Sequence, residues 1–217
     1  KYNLIENYRK KLNTDNTLIN ITDLGAGSRK IKKDIRKVSD ISKTSVSNTK
    51  KCNIIKNFLS FTDSGNIIEL GTSLGIMTSY LAEYTEANSI YTFEGDPNLA
   101  KIAGNTFSDL KISNIKLITG NFDDTLLLNV SKLDKINFAF IDGNHRKNST
   151  INYFSIIKSK LNTNAIVVID DIHWSKEMNE AWEAVKISND VSASLDLYYF
   201  GILFFDKELS GDYNILI

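Results

Sequence analysis

Five short apolar runs, at residues 67–70, 90–93, 115–118, 136–141 and 165–169, each end in glycine or polar residues. The endings are Glu69/Gly71/Gly75, Glu94/Asp96, Gly120/Asn121, Asp142 and Asp170/Asp171. Helical patterns fill the intervals between them: Ile76, Met77, Tyr80, Leu81 and Tyr84; then Ile151, Phe154, Ile157 and Leu161; then Met178, Ala181, Trp182 and Val185. Strands alternating with helices argue for βαβ units on a parallel sheet. Runs as uniformly apolar as 165–169 suit a sheet covered on both faces. In such a sheet ligands bind beyond the carboxyl ends of the strands, which is where the glycines and acids fall.

The two ends of the chain break this rhythm. Segments 195–200, 201–205 and 213–217 are strand-like with no helix between them, so the sheet is expected to finish in an antiparallel pair, with Gly201 at a hairpin junction. Residues 1–61 read as mainly helical and polar. Leu4, Ile5, Tyr8 and Leu12 share one helical face, and Cys52, Ile55, Phe58 and Leu59 share another. The expected organisation is a helical cap over residues 1–61 and one α/β domain over 62–217.

Composition narrows the function classes. Lys+Arg and Asp+Glu are both 26, so no global basic field points to a nucleic-acid partner. A single cysteine, Cys52, rules out an intramolecular disulfide, and a cytoplasmic setting is the expectation. No apolar run approaches the roughly 20 residues of a membrane span. The expected partner is a small molecule, with no nucleic acid and no membrane; homodimer formation stays open.

The first loop reads Glu69-Leu70-Gly71-Thr72-Ser73-Leu74-Gly75, and Glu94 ends the next strand 25 residues further on. Glycines allow the backbone to approach a ligand closely. An acid at the second strand end is the expected acceptor for two ribose hydroxyls. The E-L-G-T-S-L-G stretch and Phe93-Glu94-Gly95-Asp96 resemble the first and second motifs of the class I methyltransferases dependent on S-adenosylmethionine (SAM). The resemblance covers roughly residues 66–205. It implies an α/β, Rossmann-like, seven-stranded, mostly parallel sheet with an antiparallel C-terminal strand and helices on both faces. It also implies that Gly71 and Gly75 pass close to the methionine part of SAM and that Glu69 helps to position it. Glu94 would bind the ribose, and Gly120, Asn121 and Phe122 would lie near the adenine. Thr72, Ser73, Gly95 and Asp142 complete the expected cofactor-binding set.

Two competing readings are weaker. A nicotinamide dehydrogenase needs G-x-G-x-x-G, whereas the loop at Gly71 is G-x-x-x-G. The stretch Asp23-Leu24-Gly25-Ala26-Gly27-Ser28 also resembles a first methyltransferase motif, but residues 29–37, RKIKKDIRK, are too charged for a buried second unit. That stretch reads instead as a tight loop of the cap, set over the active site.

Asp142, Asp170 and Asp171 end adjacent strands of the expected order. Three converging carboxylates repel one another, and a hard divalent ion relieves that: Mg²⁺, Mn²⁺ or Ca²⁺. The pattern resembles the metal-dependent O-methyltransferases of the catechol type and those acting on natural-product sugars. By that resemblance Asp142, Asp170 and Asp171 hold the metal, and the metal lowers the pKa of an acceptor hydroxyl. His145, three residues after Asp142, stands where the catechol-type enzymes carry a lysine base, so His145 and Asp142 are the expected catalytic residues. His173 is a second candidate for ligand, base or helix cap, and Trp174 a candidate wall for the acceptor. The alternatives are a metal-independent SAM methyltransferase acting on N or O, and an inactive SAM-fold interaction module.

Overall fold

The computed structural model describes residues 2–22, 35–83 and 89–216. The N-terminal part contains α1 (Tyr2–Leu12), β1 (Leu18–Asn20), β2 (Ile35–Lys37), α2 (Val38–Thr44) and α3 (Thr49–Phe58), which ends in a 3₁₀ turn over Leu59–Phe61. The alternating part runs β3 (Asn66–Leu70), α4 (Ile76–Glu83), β4 (Ile90–Glu94), α5 (Pro97–Asp109), β5 (Ile115–Thr119), α6 (Phe122–Val130), β6 (Ile136–Ile141), α7 (Lys147–Lys158), β7 (Leu161–Asp170) and α8 (Lys176–Lys186). Three strands close the chain: β8 (Ala193–Asp196), β9 (Phe200–Phe204) and β10 (Gly211–Asn214). No helix among the described residues is long and apolar enough to cross a membrane.

The main sheet has the order β10-β8-β9-β7-β6-β3-β4-β5. All pairings are parallel except those of β9, which runs antiparallel to both β7 and β8. The expected seven-stranded Rossmann-like sheet is therefore present, with one addition. β10 pairs in parallel with β8 and makes an eighth strand at the edge. The sequence order reverses at β3, between β4 and β6, which sets the switch point beside the first glycine loop.

Strand alternation sorts the core into two layers. Ile67, Phe138, Phe140, Ile166, Val168 and Ile202 point to one face, and Ile68, Leu70, Ala139, Ile141, Val167 and Ile169 to the other. The second face is covered by apolar residues of α6, α7 and α8, among them Leu126, Phe154 and Trp182. The first face is covered by α4 and by the N-terminal part. Ile5, Leu12, Val38, Ile41, Cys52 and Ile55 lie in the same apolar cluster as the strand residues. The N-terminal part is thus one helical layer of the sheet. It also carries a short antiparallel pair, β1 with β2, that the helical reading omitted.

Three local expectations are corrected. Leu161 opens β7 rather than extending α7, because the helix stops at Lys158 and the apolar spacing beyond it is coincidental. Gly201 lies within β9 and not at a hairpin junction. The turn falls at Leu197–Tyr199, where Tyr198 takes φ 67° and its N–H is held by Asp196 Oδ1 at 2.8 Å. At Gly201 a Cβ would come within 2.5 Å of the buried Trp182 ring, so the glycine answers a close approach between β9 and α8. Tyr84 and the loop at residues 23–28 lie outside the described residues.

Candidate active site

The first glycine loop is fixed by what it touches. Gly71 has φ 97°, and a Cβ there would lie 1.9 Å from the Asp142 carbonyl oxygen. Asp142 N–H in turn donates to the Leu70 carbonyl at 2.9 Å. The turns after β3 and β6 are therefore pressed together backbone to backbone, which only glycine at position 71 permits. Gly75 (φ 81°) serves the helix instead, since its Cβ would meet the Phe107 ring at 2.7 Å.

Beneath this loop Glu69 is fully buried. Its Oε2 accepts from the Thr78 hydroxyl at 2.5 Å and from the Thr92 hydroxyl at 2.6 Å, while Oε1 has no partner. Burial pushes its carboxyl up to about 7, against the two threonine hydrogen bonds that pull it down. Thr72 shares a 2.5 Å hydrogen bond with Thr92 and joins the same buried network. Glu94 is 8% exposed at the end of β4. It accepts Ser73 N–H at 2.8 Å on Oε2 and Asp96 N–H at 3.0 Å on Oε1. Burial raises it, too, to about 7.

Above the strand ends lies a cavity of about 860 Å³. Of the expected cofactor set, Gly71, Ser73, Glu94, Gly95, Asn121, Phe122 and Asp142 line it. Glu69, Thr72, Gly75 and Gly120 lie outside the lining. Asn121 caps α6 by accepting Asp123 N–H at 3.1 Å, and the Phe122 ring meets the Tyr153 ring edge-on at 5.8 Å. At Gly143 a Cβ would meet the Phe122 ring at 2.7 Å.

The same cavity is lined by Asp142, Asn144, His145, Asp170, Asp171, Trp174 and Phe200. Register explains the carboxylates. Ile141 pairs with Ile169 across β6 and β7, so the next residues, Asp142 and Asp170, emerge side by side. Alternation puts both on the face covered by α3. His145 takes φ 46° and holds Nε2 3.6 Å from Asp142 Oδ1, with its ring 5.8 Å from that of Trp174. His173 is turned away. Its Nε2 pairs with Asp196 Oδ2 at 2.7 Å and its ring lies against Tyr198, and it does not line the cavity.

Lys51, in the first turn of α3, was not singled out in the sequence. Its ammonium forms a close ion pair with Asp170, which is 3% exposed. It lies 5.9 Å from the centroid of the Phe140 ring and 6.0 Å from that of Phe200. Burial disfavours the charge, but Asp170, Asp142 and Asp171 outweigh that and hold the ammonium above the ordinary lysine range. Burial first, then the neighbouring Asp170, push the Asp142 carboxyl well above the usual carboxylate range, while Lys51 pulls it down. As arranged, the expected divalent site at Asp142, Asp170 and Asp171 does not fit a metal: the ammonium of Lys51 is already paired with Asp170. Among the described residues no group of three or more His, Cys, Asp or Glu is set to hold an ion.

The strand order, the switch-point loop and the acid after β4 define a class I methyltransferase fold. Residues 68–172 match the family model described as a methyltransferase domain. Among solved structures, the O-methyltransferase TomG from Streptomyces achromogenes, in complex with SAM, superposes with TM-score 0.65 at 16% identity, over 75% of this chain and 82% of that one. The O-methyltransferase from Bacillus cereus, in complex with S-adenosylhomocysteine (SAH), gives 0.62 at 18% identity, over 73% and 81%. The SAH-bound Podospora anserina methyltransferase PaMTH1 gives 0.63 at 16%, over 74% and 80%. No curated protein sequence matches the chain.

Proposed function

We propose that this chain transfers the methyl group of SAM to a hydroxyl of a small acceptor bound in the same cavity. The observation that carries this is the division of one 860 Å³ cavity into two sets of residues. Gly71, Ser73, Glu94, Asn121 and Phe122 form a cofactor side. Asp142, His145, Asp170 and Trp174, with Lys51, form an acceptor side. The volume is in the upper part of the roughly 300–1,000 Å³ range of ligand pockets, enough for a nucleoside cofactor and a small partner together.

SAM supplies an electrophilic methyl on a sulfonium. The chain's part is orientation and proton removal. Glu94 is placed to accept the two ribose hydroxyls, and Phe122 offers a flat apolar face for the adenine. His145 Nε2 is placed to accept the proton of the acceptor hydroxyl, and Asp142 Oδ1 lies 3.6 Å from that nitrogen. Trp174 offers an apolar wall for the rest of the acceptor. The names of TomG and of the Bacillus cereus enzyme support oxygen as the receiving atom.

The test is SAM consumption by the full chain against catechols, phenols and sugars, with SAH and the methyl ether both quantified. Stoichiometric ether with one substrate class is the expected result. Methylation confined to amines would overturn the hydroxyl assignment, and absence of SAH binding by calorimetry would overturn the cofactor side.

A further inference from the structure

The acceptor side contains more negative charge than a hydroxyl-binding pocket can leave uncompensated. Asp142 and Asp170 emerge side by side from paired strands, and Asp171 follows at once. Asp170 is 3% exposed, and its Oδ1 has no hydrogen-bond partner. A cation is needed there, and the structure supplies one from a distant part of the chain.

We propose that the ammonium of Lys51 is the resident cation of the acceptor site, standing in place of a divalent ion, so that methyl transfer by this chain needs no metal. The inference rests on the methyltransferase reading of the cavity. Three observations support it. Lys51 Nζ is ion-paired with Asp170 and lies within the field of Asp142 and Asp171. The ammonium of Lys51 lies 5.9 Å and 6.0 Å from the centroids of the Phe140 and Phe200 rings, near enough for both to favour a cation. Its helix is anchored from behind. Cys52, the next residue, is fully buried, and Arg9 of α1 donates to the Ser47 carbonyl at 2.7 Å and to Cys52 Sγ at 3.6 Å. Asn48 caps the helix by accepting Lys51 N–H at 2.9 Å. Lys51 is therefore a fixed element of the site and not a surface lysine folded inward.

The ammonium can also do part of the work of a metal. It carries three donors, of which Asp170 takes one, and it lines the cavity. A further N–H aimed at the acceptor oxygen would hold that oxygen beside His145 and favour its deprotonated form. The proton goes to His145, the carbon–sulfur electron pair stays with sulfur, and Lys51 keeps all of its protons. A point charge with single hydrogen bonds cannot chelate two adjacent hydroxyls as a divalent ion does. The acceptor class that fits is therefore one bearing a single reacting hydroxyl.

The experiment needs no acceptor. Mn²⁺ is titrated into the full chain and into Lys51→Met at neutral pH, with bound metal read by electron paramagnetic resonance and SAH affinity by calorimetry. The expected result is no stoichiometric Mn²⁺ binding by the native chain. Removing the ammonium should then let a hard ion bind Lys51→Met at least about tenfold more tightly than the native chain, because Asp170 loses its ion pair beside Asp142. Equal SAH affinity in the two proteins shows that the variant is folded and that the cofactor side is intact. Stoichiometric Mn²⁺ binding by the native chain, abolished by Asp170→Asn, overturns the proposal whether or not the variant folds. So does a folded Lys51→Met that gains no site. Neither result touches the cofactor reading, which stands or falls on SAH binding by the native chain.

Discussion

At the scale of single residues the site is governed by burial acting on carboxyls. Glu94 carries this furthest, because its carboxyl is raised from 4.5 to about 7 by burial and yet is placed to receive hydroxyl donors. In the free protein it keeps a proton up to about pH 7, whereas in the unfolded chain it loses it near 4.5. The protonated form therefore contributes stability that is fully present below about 4.5 and is lost as pH rises through about 7. Cofactor binding reverses the preference, since ribose hydroxyls donate to the ionised form. SAH affinity is expected to rise about tenfold from pH 6 to pH 8, with proton release seen as a buffer-dependent heat in calorimetry. Glu94→Gln should weaken SAH by about 1–3 kcal/mol at pH 8 and flatten the profile. A native profile already flat across this range would remove Glu94 from the ribose. Glu69, raised similarly but shut beneath the loop on Thr78 and Thr92, should not change the slope in the same way, because it does not line the cavity.

Between elements, close approach sets the glycines, and this is where sequence and structure part company. Gly201 lies in β9 with an imagined Cβ 2.5–2.8 Å from three Trp182 ring atoms, and the ring is fully buried. Gly201→Ala should cost about 1–3 kcal/mol by overpacking, read as a lower urea midpoint with unchanged slope. An unchanged midpoint would mean that α8 shifts freely against the sheet. A lone glycine between apolar runs reads as a turn because local rules know nothing of a tryptophan 19 residues away. The five strand-and-loop units were legible because periodicity and loop chemistry are local properties. The parallel addition of β10 and the three-residue pair β1–β2 were not, since each depends on a remote partner. Lys51 was hidden for the same reason. In a polar helical stretch it looks like any solvated lysine, and its meaning comes from Asp170, 119 residues further along. The three aspartates and their mutual repulsion could be read from the sequence, but the lysine that pairs with Asp170 could not.

Across the whole molecule the N-terminal part and the sheet share one apolar cluster, from Ile5 and Ile55 through Tyr80 to Phe140 and Phe200. Polar contacts cross the same seam. Tyr80 donates to Glu6 at 2.6 Å, and Thr22 N–H donates to Asp96 Oδ2 at 2.6 Å beside the Glu94 loop. An independent cap would bury its own core and leave the sheet standing without it. A shared core predicts that the two unfold together. Ile55 is fully exposed to this test, being wholly buried in α3, while the only two tryptophans, Trp174 and Trp182, sit in the C-terminal half of the chain. Ile55→Ala should cost about 2–5 kcal/mol, the range for truncating a buried isoleucine. That loss should appear in the fluorescence of those remote tryptophans as one shifted urea transition, coincident with the loss of helix by circular dichroism. Two separated transitions, with tryptophan fluorescence at its native midpoint, would show that residues 1–61 fold as a unit apart. In that case the placement of Lys51 would depend on a docked segment and not on the core itself.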